Sequence, residues 1–242
     1  MGTTDSMQTW DPRGASVCDL KDLFAELLPL KEARILDLGC GAGEAARAIA
    51  VSEQSATVVG VEIDALQHAE NLKAEPLPNL EFKLGSAEKI PEPDESIDVV
   101  LMMKSLHHVP VARMDQALRE VRRVLHMEGL AFIVEPVFGG AFNEILRVFH
   151  DEKEVRLAAF EAVRDAITSG GMILVEERFF LTSVTIPDFT AFEQRYINVT
   201  HSDHRLSTAQ RTEVREKFER HMKPGGAVFK MPMRLDLLQK KD

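Results

Sequence analysis

Asp37-Leu38-Gly39-Cys40-Gly41-Ala42-Gly43 sets a carboxylate beside three glycines at alternate positions, directly before the helical pattern Glu44-Ala45-Ala46-Arg47-Ala48-Ile49-Ala50. Glycines in that spacing strip a turn of side chains, which serves a ligand that must touch backbone at a helix start. Glu62 follows 19 residues after Gly43 and ends the apolar run from Ala56. A carboxylate at that place suits the two hydroxyls of a ribose. The neighbouring acid, Asp64, is read as the cap of the next helix. Three further groups can move protons. His107 and His108 follow the run Ile97–Met103, and Glu135 ends the run Leu130–Glu135. An imidazole titrates near neutrality, so it can take a proton from a hydroxyl, thiol or amine. Each also has a plain structural role open to it: packing against the next helix for the histidines, and a strand end for Glu135.

Those groups need a scaffold that brings the ends of separate strands to one edge. Strands are expected at about 33–38, 56–63, 80–84, 97–103 and 130–135, with helices at about 44–51, 65–74 and 111–127 between them, the last closed by Gly129. Alternation at these lengths means βαβ units and a parallel, doubly wound α/β sheet. Ser16–Asp19 reads as a capping box before an apolar helical stripe from Leu20 to Leu28. After residue 140 the pattern changes. A helical region at 141–168, broken near Asp151, leads to a strand at 172–181. Helices are expected at 189–198 and from the capping box Ser207–Gln210, and Ala227–Leu238 closes the chain as a seventh strand. The chain is thus expected to be a single domain over 1–242, with a helical lid at 1–29, a ligand-binding core at 30–140 and a helical insertion at 186–224.

A dinucleotide site is the rival reading of the glycine turn. Its fingerprint, G-x-G-x-x-G, places a third glycine where this chain has Glu44. A pyrophosphate would there face a carboxylate; a zwitterionic amino-acid group would suffer less. Taken together, Ile35–Glu44, Val59–Ile63, Gly85-Ser86-Ala87-Glu88, Ser96–Val100 and Leu106-His107-His108-Val109 resemble the class I S-adenosylmethionine-dependent methyltransferases, and look most like their small-molecule, quinone-methylase-like branch. The resemblance implies a Rossmann-like seven-stranded fold with S-adenosyl-L-methionine as cofactor. It implies that Asp37, Gly39, Cys40, Gly41 and Gly43 hold the methionyl end, and Glu62 with Ile63 the ribose side. Ser86, Ala87 and Glu88 would meet the adenine, and Lys104 would stand beside the cofactor. Ser86 departs from the family's usual aspartate, so the adenine contact there is uncharged.

The acceptor is less visible. Enzymes that methylate nucleic acids or glutamine carry an Asn/Asp-Pro-Pro-Tyr type turn after strand four, and this chain has Lys104-Ser105-Leu106-His107. Its formal charge of −10 repels phosphate backbones, so no nucleic-acid partner is expected and a small-molecule acceptor is. His107, His108, Glu135 and Tyr196 are the candidates for contact with that acceptor. Tyr196, the only tyrosine, belongs to the insertion expected over the acceptor site, and packing is its plain alternative. Trp10 and Arg13 either close over the cofactor or lie at the surface. His201-Ser202-Asp203-His204 reads as a loop before a helix, too few ligands to name a metal. The two cysteines give no disulfide framework, and Cys40 is read as a small side chain fitted to the turn. No apolar run reaches the roughly 18 residues of a membrane span, and a cytoplasmic location is expected. Transfer of another group from the same cofactor, a non-catalytic binding protein and a nicotinamide-dependent oxidoreductase are the competing functions.

Overall fold

The computed structural model describes residues 15–198 and 205–241. Its elements run α1 (Leu20–Leu27), β1 (Arg34–Leu38), α2 (Glu44–Ser52), β2 (Thr57–Glu62), α3 (Ala65–Lys73), β3 (Leu80–Leu84), β4 (Ile97–Met103), α4 (Met114–Val124) and β5 (Leu125–Pro136). They continue with α5 (Gly140–Leu146), α6 (Lys153–Thr168), β6 (Met172–Ile186), α7 (Phe189–Phe192), α8 (Thr208–Glu219), β7 (Met222–Lys223) and β8 (Gly226–Lys240). The strand order is β3-β2-β1-β4-β5-β8-β6, with the two-residue β7 paired to β8. Pairs β3–β2, β2–β1, β1–β4 and β4–β5 are parallel. The expected doubly wound sheet is present, with seven strands along its path.

Packing divides the chain into two compact units, each built of three stretches. The sheet unit comprises Asp19–Glu135, Leu157–Arg178 and Arg234–Asp242; the aromatic unit comprises the chain up to Cys18, Pro136–Arg156 and Phe179–Met233. In the sheet unit, Ile35, Leu36, Val58, Val59, Val99 and Val100 are fully buried, as strands covered on both faces must be. Helix α4 explains its own docking: Met114, Ala117, Leu118, Val121 and Val124 recur at helical spacing and are all buried. In the aromatic unit Phe142, Phe189, Phe192, Phe218 and Phe229 form a core of their own with Ile186, Ile197 and Val214.

Local chemistry alters several expected boundaries. Helix α4 ends at Val124, not at Gly129. Residues 125–129 instead belong to β5, where pairing jumps from Ile97–Leu125 to Val99–Leu130. Glu128 takes a left-handed φ of 65° in this bulge. Gly129 follows because a Cβ there would lie 2.9 Å from the His126 carbonyl and 3.2 Å from that of Asp98. The start of α1 also differs. Asp19 is its N-cap, accepting from Lys21 N–H, while Val17 bridges to Leu181 and Ser16 caps nothing. The last two long strands extend beyond expectation, and the expected helix 189–198 is one α-turn followed by a π-turn, Glu193–Ile197. Asp64 does cap α3, accepting from Leu66 N–H at 2.8 Å, and Ser207–Gln210 forms its capping box.

Candidate cofactor site

Strand order reverses between β1, which pairs with β2 on one side and β4 on the other. The carboxyl ends of strands at such a switch point are where open α/β sheets bind ligands. The sequence places the glycine turn there. Gly39, Gly41 and Gly43 all take left-handed φ angles, of 73°, 52° and 71°. Two of them are also closed sterically. A Cβ at Gly39 would lie 2.7 Å from Ser105 Cβ, and one at Gly43 would lie 2.6 Å from the Phe82 ring. Around the position of a Cβ at Gly41 none of the described residues lies within 4 Å.

The turn is held from both sides by its own chain. Gly39 N–H and Cys40 N–H both donate to the Val61 carbonyl, at 2.8 and 3.0 Å, and Gly43 N–H donates to Cys40 O at 2.9 Å. Gly41 N–H donates to Glu62 Oε2 at 2.7 Å. Four of the five amides from Gly39 to Gly43 are therefore committed. Asn71, buried on α3, donates to the Gly41 carbonyl at 2.7 Å. The sequence reading missed Asn71 and Phe82. The signal available for Phe82 was Gly60 in mid-strand, since an isolated strand glycine marks a close approach. Gly60 pairs with Phe82, and a Cβ at Gly60 would lie 2.7 Å from its ring.

Two carboxylates face this turn. Asp37 is 1% exposed; its Oδ2 accepts from Ala46 N–H of α2 at 3.2 Å, and its Oδ1 has no partner among the described residues. Burial pushes the Asp37 carboxyl up to about 7, with the Glu62 charge adding to it and the Ala46 bond opposing. Glu62 Oε1 accepts from Ile63 N–H and Asp64 N–H, both at 2.9 Å, which fixes the carboxylate at the end of β2. The next residue, Ile63, is 67% exposed, leaving an apolar surface beside a fixed acid. Cys40 is not redox-poised: burial first, then the Asp37 and Glu62 charges, push its thiol up.

Ser86, Ala87 and Glu88 form the half-buried turn after β3, closed by Lys89 N–H to Ser86 O at 3.2 Å. Gln116 Nε2 pins the Glu88 carbonyl at 2.9 Å. Lys104 is exposed at the end of β4 in a left-handed conformation, φ 58°, while its N–H still donates to Val134 O at 2.7 Å. His107 and Glu135 are both buried and bonded to each other through Nδ1 and Oε2. Glu135 Oε1 accepts from Leu106 N–H at 2.9 Å. A carboxylate only accepts, so Nδ1 is the donor of this bond. His108 is exposed and stacks at a tilt on His107, ring centroids 4.1 Å apart. Tyr196 belongs to the aromatic unit, on the π-turn, with its ring 5.0 Å from Phe142 and 5.3 Å from Phe192. Trp10, Arg13 and the His201–His204 cluster lie outside the described residues.

Residues 36–133 match a family model described as a methyltransferase domain. The uncharacterized methyltransferase YcgJ of Bacillus subtilis is 33% identical over 132 residues, 52% of this chain and 51% of that one. The 27-O-demethylrifamycin SV methyltransferase of Amycolatopsis mediterranei is 34% identical over 129 residues, 50% of this chain and 46% of that one. The chain thus spans about half the length of these curated relatives. The crystal structure of YcgJ superposes with a TM-score of 0.65 at 19% identity, covering 91% of this chain and 97% of that chain, which shows the shared fold. Motif order, glycine turn, strand-two acid and family match agree: over residues 36–133 this chain is similar to the S-adenosylmethionine-dependent methyltransferases.

Proposed function

We propose that the protein transfers a methyl group from S-adenosylmethionine to a small-molecule acceptor. The observation that carries this is the polarity of the glycine turn. A phosphate nest needs unspent N–H donors, and here four of five amides are already bonded within the chain. What the turn offers, once its carboxyl is ionised, is an acceptor, Asp37 Oδ1, which has no partner among the described residues. That suits an ammonium group and a sulfonium, and it opposes a pyrophosphate.

Asp37 and the open side of Gly41 would take the methionyl end, Glu62 the ribose hydroxyls, and Ile63 with Ser86, Ala87 and Glu88 the adenine. Lys104 would stand beside the cofactor. When bound, the cofactor supplies a methyl on a positive sulfur that leaves as a neutral thioether. The protein's part is to align the acceptor, exclude water and accept its proton. His107 fits that last role, because Glu135 holds its Nδ1 proton and so, in the neutral ring, presents Nε2 as the basic nitrogen. All the cofactor residues lie in the sheet unit. The demethylrifamycin methyltransferase, a relative named for a small-molecule substrate, and the acidic charge support an acceptor of that size.

Thermal-shift and calorimetric titrations test the reading directly. S-adenosylhomocysteine is expected to raise the melting temperature and NADH to leave it unchanged. Stabilisation by NADH alone would overturn it. Transfer of labelled methyl to fractions of a metabolite extract then identifies the acceptor.

A further inference from the structure

Ser105 lies between the glycine turn and the His107–Glu135 pair and touches the first while leading into the second. Its hydroxyl donates to the Leu38 carbonyl at 2.8 Å, the last residue of β1 before Gly39. Its Cβ fills the place a Gly39 side chain would take, 2.7 Å from that Cβ position. On one side the chain is forced: Lys104 is left-handed with its N–H on Val134 O. On the other, Leu106 N–H and His107 Nδ1 are both held by Glu135. Positions 104 to 107 are thus fastened to two strands, β1 through Ser105, and β5 through Lys104 on Val134 and through the two bonds to Glu135. A left-handed lysine costs energy and persists only where its surroundings over-determine it.

We propose that Ser105 is a positioning residue: it latches the end of β4 to the glycine turn and so sets the His107 imidazole relative to the bound cofactor. This rests on the cofactor reading above. Leu38 and Gly39 sit at the start of the cradle, so movement there and movement of His107 are coupled through one side chain. Loss of the hydroxyl would leave the Leu38 carbonyl short of a donor and free Ser105 from β1, while Glu135 still grips Leu106 and His107.

The test uses the full chain, wild type beside Ser105→Ala and Ser105→Cys, the latter keeping the volume with a weak donor. S-adenosylhomocysteine affinity is measured by calorimetry and the His107 ring by 15N NMR, its signals assigned with His107→Gln. Both variants are expected to bind about fivefold more weakly, as loss of one neutral hydrogen bond gives, and to shift the His107 ring resonances. Wild-type affinity in the variants, or weaker binding with His107 resonances unmoved, would overturn the latch. If the wild type itself does not bind S-adenosylhomocysteine, the cofactor reading fails, and the latch then stands or falls on the His107 resonances of Ser105→Ala.

Discussion

Gly41 donates its amide hydrogen to Glu62 at 2.7 Å, which ties the middle of the glycine turn to the end of the neighbouring strand. Glu62 also takes the Ile63 and Asp64 amides, so three backbone donors orient one carboxylate before any ribose reaches it. Glu62→Gln puts an NH2 group among donors. S-adenosylhomocysteine binding is expected to weaken at least tenfold by calorimetry, the scale of a charged hydrogen bond. An unchanged affinity would remove Glu62 from the site.

The glycines should separate into two kinds. Gly43→Ala adds left-handed strain and drives a Cβ into the Phe82 ring, so a loss of about 2 kcal/mol in chemical denaturation is expected. Gly41→Ala meets none of the described residues within 4 Å and should cost about 1 kcal/mol from the backbone alone. Its larger effect should be on cofactor affinity, because the methyl enters the space that the ligand needs. Equal behaviour of the two variants would contradict this assignment.

Asp37 gives a pH dependence of defined sign. Its native carboxyl, pushed up to about 7 by burial, holds a proton that the unfolded chain releases near 4. The stability it contributes is full below about pH 4 and is lost as the pH rises through 7. Asp37→Asn lacks that dependence. Its stability relative to wild type should therefore improve from pH 5 to pH 8, by on the order of 3 kcal/mol, while cofactor binding is lost. Urea midpoints at the two pH values decide it; a constant difference would speak against an uncharged Asp37 at low pH.

Glu92 carries the opposite sign. Burial raises its carboxyl, but hydrogen bonds from Lys83 at 2.7 Å and Arg34 at 2.8 Å outweigh burial and hold it below the usual range. Its contribution is present above the ordinary carboxylate pKa and disappears as the pH falls through the lowered one. Glu92→Gln should cost about 2 kcal/mol at pH 7, less than the roughly 3–5 kcal/mol of a fully buried pair because both cations reach solvent. The cost should shrink toward zero below pH 4. Melting curves across that range would reveal a cost that persists in acid, which this pairing does not allow.

For turnover, His107→Gln should reduce methyl transfer about a hundredfold or more with S-adenosylhomocysteine affinity within twofold of wild type. Glu135→Gln should lower it less, since the ring keeps its nitrogen but loses the carboxylate that orients it. Full activity in both variants would leave proton transfer to another group.

Much of this was legible in the sequence because it is local. Strands β1 to β4 carry apolar runs that end in chemistry-bearing residues, and Asp64 and Ser207 cap the helices that follow them. The glycine turn and Glu62 stand where the spacing put them. Gly129 misled because glycine after an amphipathic helix reads as a cap, whereas here it serves a bulge defined by the partner strand's Asp98 carbonyl. Asn71, Phe82 and Ser105 were missed for the same reason. Their types are ordinary, and their importance comes from neighbours some 20 to 70 positions away along the chain.

Phe82 lies on β3, the first strand in the sheet order and so paired on one side only. Its ring stands over both Gly43 and Gly60, with the Arg47 guanidinium 5.4 Å from its centre. The cradle's inner shape is thus held by an edge, and edges open more often than sheet centres. Amide hydrogen exchange along β3 should then report on the cradle. Slower exchange at Phe82 and Lys83 when ligand is bound would show that the edge's opening clock sets how long the empty turn keeps its form.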